Sequence, residues 1–248
     1  TVALAKTGKF EKARTVYDDY VRQHPQDALF LPATHYLAEA AYASGDRQSA
    51  HELFSVLARD GNPADYVAKG LSGVAWSQLE SDRPVESAAT FERLLNDYPD
   101  SPFAAEAALA RAQALEKVGQ NDAALATYHV VLDKYPHSKE LPSVLLGAAR
   151  LHDRLQQDKQ ADALYERLMK EYPRLPQRAA ALYQWAWVLV DLERASDADA
   201  VFARIHERHK TSHHWADATY RLAERAANER DFDRAGKLTD ELIDAKTD

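Results

Sequence analysis

Three Tyr-Pro pairs, Tyr98-Pro99, Tyr135-Pro136 and Tyr172-Pro173, stand 37 residues apart. The same step leads back to Asn62-Pro63 and Pro25 and forward to Lys210, with no insertion along the 248 residues. Other columns keep the period. One reads Ala38, Ala75, Ala112, Ala149, Ala186, Ala223, and a second Ala13, Ala50, Ser87, Ala124, Ala161, Ala198, Ala235. A third is aromatic (Tyr17, Phe54, Phe91, Tyr128, Tyr165, Phe202) until Thr239 ends it. A fourth marks a turn: Gly8, Gly45, Asp82, Gly119, Gln156, Glu193, Arg230. A step held this strictly commits the chain to stacked units, each burying its apolar face on its neighbours.

One unit shows what is stacked. From Ser101 to Val118 the apolar residues Ala104, Ala108, Leu109, Ala112 and Leu115 recur at helical spacing. Ser101 suits the N-cap, Pro102 the first helical position, and Gly119 a left-handed stop. A second helix is expected from about Asp122 to Tyr135, with Ala124, Tyr128, Val131 and Leu132 on one face, ended by Pro136. The unit is therefore helix A, tight turn, helix B, short loop. Small residues on both helices permit close approach, and the aromatic of helix B fills the gap toward the neighbouring unit. Nine of the 10 Pro fall between a helix B and the first turn of the next helix A, and Pro84 falls at the start of a helix B. None interrupts a helix.

The spacing resembles the tetratricopeptide repeat, whose pattern is W-x₂-L-G-x₂-Y, then A-x₃-F, then P over 34 residues. Ala108, Arg111, Ala112, Leu115, Ala124, Tyr128 and Pro136 fit it, as do Thr34, Leu37, Ala38, Ala41, Ala50 and Phe54. The large aromatic of its first position is replaced by Ala, Leu or Thr. The three extra residues lie ahead of helix A and are expected to lengthen it by nearly a turn. The resemblance implies an all-α superhelix of antiparallel helix pairs, a single solenoid over 1–248. Its repeats are 1–25 (truncated), 26–62, 63–99, 100–136, 137–173, 174–210 and 211–248. Asp233, Lys237, Thr239 and Asp240 suggest a polar last helix. The run from Asn96 to Ala107 is similar to the Tyr-Pro-x-Ser style of bacterial envelope proteins, such as the Tol-Pal-associated periplasmic coordinator and the β-barrel-assembly lipoprotein.

Composition narrows the function. With 31 Lys+Arg against 39 Asp+Glu, the net charge of −8 argues against nucleic acid, which asks for a basic face. The absence of Cys removes disulfides, thiol catalysis and Cys-ligated zinc. No apolar run is long enough to span a membrane. The opening Thr1-Val2-Ala3-Leu4 carries neither Met nor a signal peptide, so the chain reads as a processed form or a piece of a longer one, with more repeats upstream.

No Gly-rich phosphate loop, G-x-S-x-G or H-E-x-x-H is present, and the carboxylates read as solvated helix surface. No catalytic residue, cofactor or metal is expected. His206, His209, His213, His214 and Glu207 straddle one loop, and the His206/His209 spacing could place both on one helix face. Histidines at an exposed helix C-terminus need no metal to explain them.

The family resemblance puts binding in a groove lined by helix A. Carried onto this chain, the groove residues are His35, Glu39, Tyr42, Trp76, Gln113, Arg150, Tyr183, Trp187, Tyr220 and Glu224. Ser72, Leu109 and Leu146 lie in the same columns. Aromatics beside charged groups suit recognition, while the two tryptophans could equally pack on the adjacent helix A. The Lys and Asn clamp by which chaperone-binding members grip C-terminal carboxylates is missing, since His35, Glu39, Ser72, Trp76, Leu109 and Gln113 occupy its positions. The expectation is a non-enzymatic scaffold for a protein or peptide partner, in a longer chain or a multi-protein complex, in the periplasm or cell envelope. Alternatives are a periplasmic guide for polysaccharide export, the interaction domain of a larger enzyme, and a cytoplasmic location.

Overall fold

In the computed structural model, residues 10–24 and 27–245 are described. Among them are thirteen helices and no strand. They are α1 (Phe10–Gln23), α2 (Phe30–Ser44), α3 (Arg47–Leu57), α4 (Ala64–Glu80), α5 (Pro84–Asp97), α6 (Ala104–Lys117) and α7 (Asn121–Lys134). Then come α8 (Leu141–Arg154), α9 (Asp158–Glu171), α10 (Arg178–Asp191), α11 (Ala195–Arg208), α12 (Trp215–Asn228) and α13 (Phe232–Asp244). The fold is the all-α helical repeat that the columns call for. Every helix B begins 37 residues after the one before, at 10, 47, 84, 121, 158, 195 and 232. The expected half helix at Thr1, with Gly8 and Pro25, lies outside the described residues.

The helices form two compact units, Thr1–Glu140 and Leu141–Asp248. In the first, α1 to α7 each pack on the next, and α2 also touches α4. In the second, α8 to α13 do the same, and α8 also touches α10. The columns explain the packing. Ala38, Ala75, Ala112, Ala149 and Ala186 are fully buried, and the aromatics from Tyr17 to Phe202 are buried. Where Ser87 replaces Ala on α5, its hydroxyl donates to the Ala75 carbonyl at 2.9 Å, joining the two small columns across the helix pair.

The turn column has one geometry. In six repeats the amide after the column residue donates to the carbonyl five residues back, from Asp46 to Ala41 (3.0 Å) through Asp231 to Ala226 (2.8 Å). This is the Schellman motif, which needs a left-handed residue. Gly45 and Gly119 take it with φ of 84° and 76°, and Asp82, Gln156, Glu193 and Arg230 take it with φ from 57° to 63°.

Two expectations are corrected. Ser101 does not cap α6: its hydroxyl accepts from the Phe103 amide at 3.3 Å, and Ala104 donates to the Ser101 carbonyl at 3.0 Å. Ser101-Pro102-Phe103 thus closes a turn of its own, with Phe103 at the N-cap. For the same reason the extra residues do not lengthen helix A, since α6, α8, α10 and α12 have 14 residues each. Only α2, at 15 residues, and α4, at 17, are longer, and next to α4 the preceding α3 has shrunk to 11. Asn62 stands where the Tyr-Pro loops have Pro (99 − 37 = 62), and its amide donates to the carbonyls of Val56 and Leu57, ending α3 early. The last helix, α13, buries only Leu238, and Phe232 (69 %) and Ile243 (57 %) are exposed on it beside its charged residues.

Candidate functional site: a cavity across three A helices

Within the first unit, α2, α4 and α6 present their A faces side by side. His35, Glu39 and Tyr42 from α2, Lys69, Ser72, Gly73 and Trp76 from α4, Phe103 and Glu106 at the start of α6, and Phe54 of α3 enclose about 520 Å³. The floor is apolar because Gly73 leaves the Phe54 ring bare: a Cβ there would meet the ring at 2.2 Å. Gly70, one turn earlier, lets α4 approach so closely that a Cβ would lie 2.3 Å from the Ala58 backbone nitrogen. Two glycines therefore set the depth of this cavity.

Its walls are polar and interlocked. Tyr42 donates its hydroxyl to Glu80, which also pairs with Arg47. The Arg47 guanidinium lies 4.9 Å from the Tyr42 ring centroid, over its face. Burial and the neighbouring Glu80 push the Tyr42 hydroxyl up to about 12, so at neutral pH it stays a donor. His35 Nε2 lies 3.3 Å from Glu39 Oε1. Burial and Lys69 hold the His35 imidazole below its ordinary value, against the pull of Glu39. Trp76 meets Phe91 edge-on at 5.7 Å and remains half-buried. A second hollow of about 590 Å³ adjoins, sharing Lys69 and Phe103 and running along Tyr98 to Pro102.

The second unit has its own aromatic cluster. Tyr183 stacks on His214 at 4.5 Å, meets Trp187 and Phe202 edge-on at 6.2 Å, and donates its hydroxyl to Asp217 at 2.5 Å. Arg221 covers Trp187, its guanidinium 4.7 Å from the ring centroid, and pairs with Glu224 at 3.2 Å. Tyr220 is 53 % exposed beside it.

Of the ten residues expected in the groove, four (His35, Glu39, Tyr42, Trp76) share the first unit's cavity. Gln113 is exposed on α6 and does not line it. Arg150 donates to Gln184 at 2.8 Å instead of facing open solvent alone. Tyr183, Trp187, Tyr220 and Glu224 gather around Arg221. Sequence reasoning missed Lys69, Phe103 and Glu106. The lining extends one helical turn further toward the helix N-terminus than the columns chosen, and Asp217 holds the same repeat position as Lys69 and Glu106 (69 + 37 = 106 and 106 + 111 = 217).

The histidines disperse. His206 stacks on Trp215 at 5.9 Å and hydrogen-bonds Thr219 at 3.0 Å. His209 is half-buried among arginines, and His214 lies on Tyr183. His206, His209 and His214 are half-buried, unlike the solvated loop expected, and their neighbours are rings and arginines. Among the described residues no three His, Cys, Asp or Glu side chains gather as a metal would need.

The tetratricopeptide-repeat family profile matches residues 2–27, 73–101, 106–138 and 143–174. Three of these segments end at 27, 101 and 138, in phase with the period (101 − 27 = 74, twice 37). No curated protein matches the chain in sequence. Solved structures resemble it in fold. A tetratricopeptide repeat protein from Parabacteroides merdae gives a TM-score of 0.58 at 15% identity over 98% of this chain and 89% of that one. PilW, a type IV pilus biogenesis factor, gives 0.57 at 21% identity over 87% and 93%. MamA protein gives 0.60 at 14% identity over 73% and 92%.

Proposed function

We propose that this chain, which carries tetratricopeptide repeats, is a non-enzymatic scaffold that takes an extended protein segment across α2, α4 and α6. One observation carries the reading: a cavity of about 520 Å³ with an apolar floor and a rim holding Lys69, Glu106, Glu39 and the Tyr42 hydroxyl. An apolar side chain of the partner fits against Phe54, Trp76 and Phe103, while the rim groups orient its backbone and neighbouring charges. The rim has no nucleophile aligned with a base and no converging acid pair, which is the constellation a catalyst needs. We place the protein in a bacterial cell envelope on the Tyr-Pro-x-Ser style of its loops. No helix among the described residues is long and apolar enough to cross a membrane.

The test is to fill the cavity without removing its packing. Random peptides displayed on phage are selected on the chain and counter-selected on a Ser72→Trp variant. Enriched peptides with an apolar anchor should bind the parent at micromolar strength and lose the variant. Retention by Ser72→Trp, or binding of an envelope polysaccharide through the same residues in place of peptide, overturns the reading. Fractionation of the native full-length protein tests its location.

A further inference from the structure

A second surface lies on the opposite side of α10, away from Tyr183 and Trp187. Arg178 opens α10 and donates to the carbonyls of Tyr172 (3.1 Å) and Met169 (3.3 Å) at the end of α9. Two turns along, Trp185 donates its indole N–H to Asp162 of α9 at 2.7 Å. Arg204 reaches over the Trp185 ring from α11, at 5.9 Å from its centroid. Arg208 follows one turn later, and His209 ends the helix. Because α10 and α11 run antiparallel, the start of one meets the end of the other, and the three arginines gather along the seam where the start of α10 meets the end of α11.

Charge within the seam is unbalanced. Among the described residues no carboxylate pairs with Arg178, Arg204 or Arg208, although the chain as a whole has a net charge of −8. Four other arginines of this unit are paired: Arg167 with Glu171, Arg194 with Asp162, Arg221 with Glu224 and Arg225 with Asp199. Arg178 and Arg204 are half-buried and Arg208 exposed. Burial and the neighbouring guanidiniums depress both half-buried arginines, and the same causes hold the His209 imidazole below its ordinary value. Like charges gathered in partial burial are a cost to folding that an anionic ligand removes.

We propose that Arg178, Arg204 and Arg208 form a docking surface for an extended acidic segment of a protein partner. The guanidiniums are spread over two helices, so they offer separate forks to successive carboxylates rather than one cup for a compact anion. The acidic remainder of the chain repels such a segment and leaves the seam as its point of arrival. This surface shares no residue with the A-face cavity, and neither proposal needs the other.

Fluorescein-labelled octaglutamate titrated with the whole chain, followed by polarisation, tests it, with octaglutamine as the uncharged control. Octaglutamate should bind at about 50 mM salt and weaken markedly by about 300 mM, while octaglutamine should not bind. The double variant Arg204→Gln/Arg208→Gln should lose about tenfold or more in affinity, and the single Arg208→Glu, at an exposed position, should lose binding while the helical circular dichroism holds. Lys237→Gln, which removes a charge elsewhere in the unit, and Ser72→Trp should leave the titration unchanged. Absence of octaglutamate binding, equal binding by the double variant, or full displacement by about 1 mM inorganic phosphate, which marks a compact-anion site, overturns the proposal.

Discussion

Trp76 stands edge-on to Phe91, ring centroids 5.7 Å apart and planes at 82°. Three repeats on, Trp187 meets Phe202 at 6.1 Å and the same 82° (76 + 111 = 187, 91 + 111 = 202). The contact recurs where Trp fills this repeat position: the ring on helix A leans edge-on against the aromatic column of helix B. Replacing Trp76 by Ala should lower unfolding free energy by about 2–3 kcal/mol in urea titration, less than a fully buried ring because Trp76 is half-exposed. Trp76→Phe keeps the edge contact and should cost under about 1.5 kcal/mol.

The left-handed turns hold a reserve of stability. Gln156 and Glu193 adopt φ of 57°, where a side chain costs about 1–2 kcal/mol. Glycine removes that strain at the expense of unfolded-state entropy. Gln156→Gly and Glu193→Gly should each stabilise by about 0.5–1 kcal/mol, and Gly119→Ala should destabilise to a similar degree. Thermal melts of the three variants check the sign.

Gly70 and Gly73 should differ when each becomes Ala. At Gly70 the new methyl meets backbone, the Ala58 nitrogen at 2.3 Å and the Leu57 carbonyl carbon at 2.7 Å, so α3 and α4 must part. At Gly73 it meets the Phe54 ring, which can swing. Gly70→Ala should cost about 3 kcal/mol or more and Gly73→Ala about 1–2 kcal/mol, with Gly73→Ala also reducing binding in the A-face cavity. Denaturation and peptide titration on the same samples separate the two effects.

Acid should weaken the fold first through its buried histidines. His35, His51, His209 and His214 are all held below the ordinary imidazole value, chiefly by burial. Their unfolded counterparts take up protons near pH 6.5 while the folded ones do not, so stability present above that value is lost as pH falls through it. Asp46 and Asp82, held low by hydrogen bonds, add their loss only below about pH 4. Urea midpoints should therefore drop from pH 7 to pH 5, and His51→Gln should flatten the drop. A flat profile in the parent chain sinks this account.

The Tyr135 hydroxyl donates to the Pro99 carbonyl at 2.8 Å, tying one Tyr-Pro loop to the preceding one. Burial raises its ionisation, with Asp100 adding to the effect, so the donor persists at neutral pH. Tyr135→Phe should cost about 0.5–1.5 kcal/mol, read by hydrogen exchange in α5 and α7.

Helix order, turn positions and the buried columns were legible because each is a residue type repeated at fixed spacing. Packing demands small residues at Ala38 and its equivalents every time. The start of helix A was not legible at Ser101, because serine before proline serves an N-cap and an isolated turn equally well. The exchange of a turn between α3 and α4 hung on Asn62, a single residue whose amide competes for backbone carbonyls. The site was half legible: the columns of His35 and Trp76 marked the A face, but the reach to Lys69, Phe103 and Glu106 depends on how deeply two glycines let α4 settle. Arg178, Arg204 and Arg208 fall at three different repeat positions, so nothing periodic joined them before the antiparallel helices did.

The strict spacing of the seven helix B starts bears on how such a gene can vary. A duplication or loss of one whole unit restores every junction in register, whereas any shorter insertion inside a helix turns its downstream side chains off their neighbours. Natural length variants should therefore come in whole-unit quanta, with odd-sized changes confined to the stretch between a Tyr-Pro stop and the following helix.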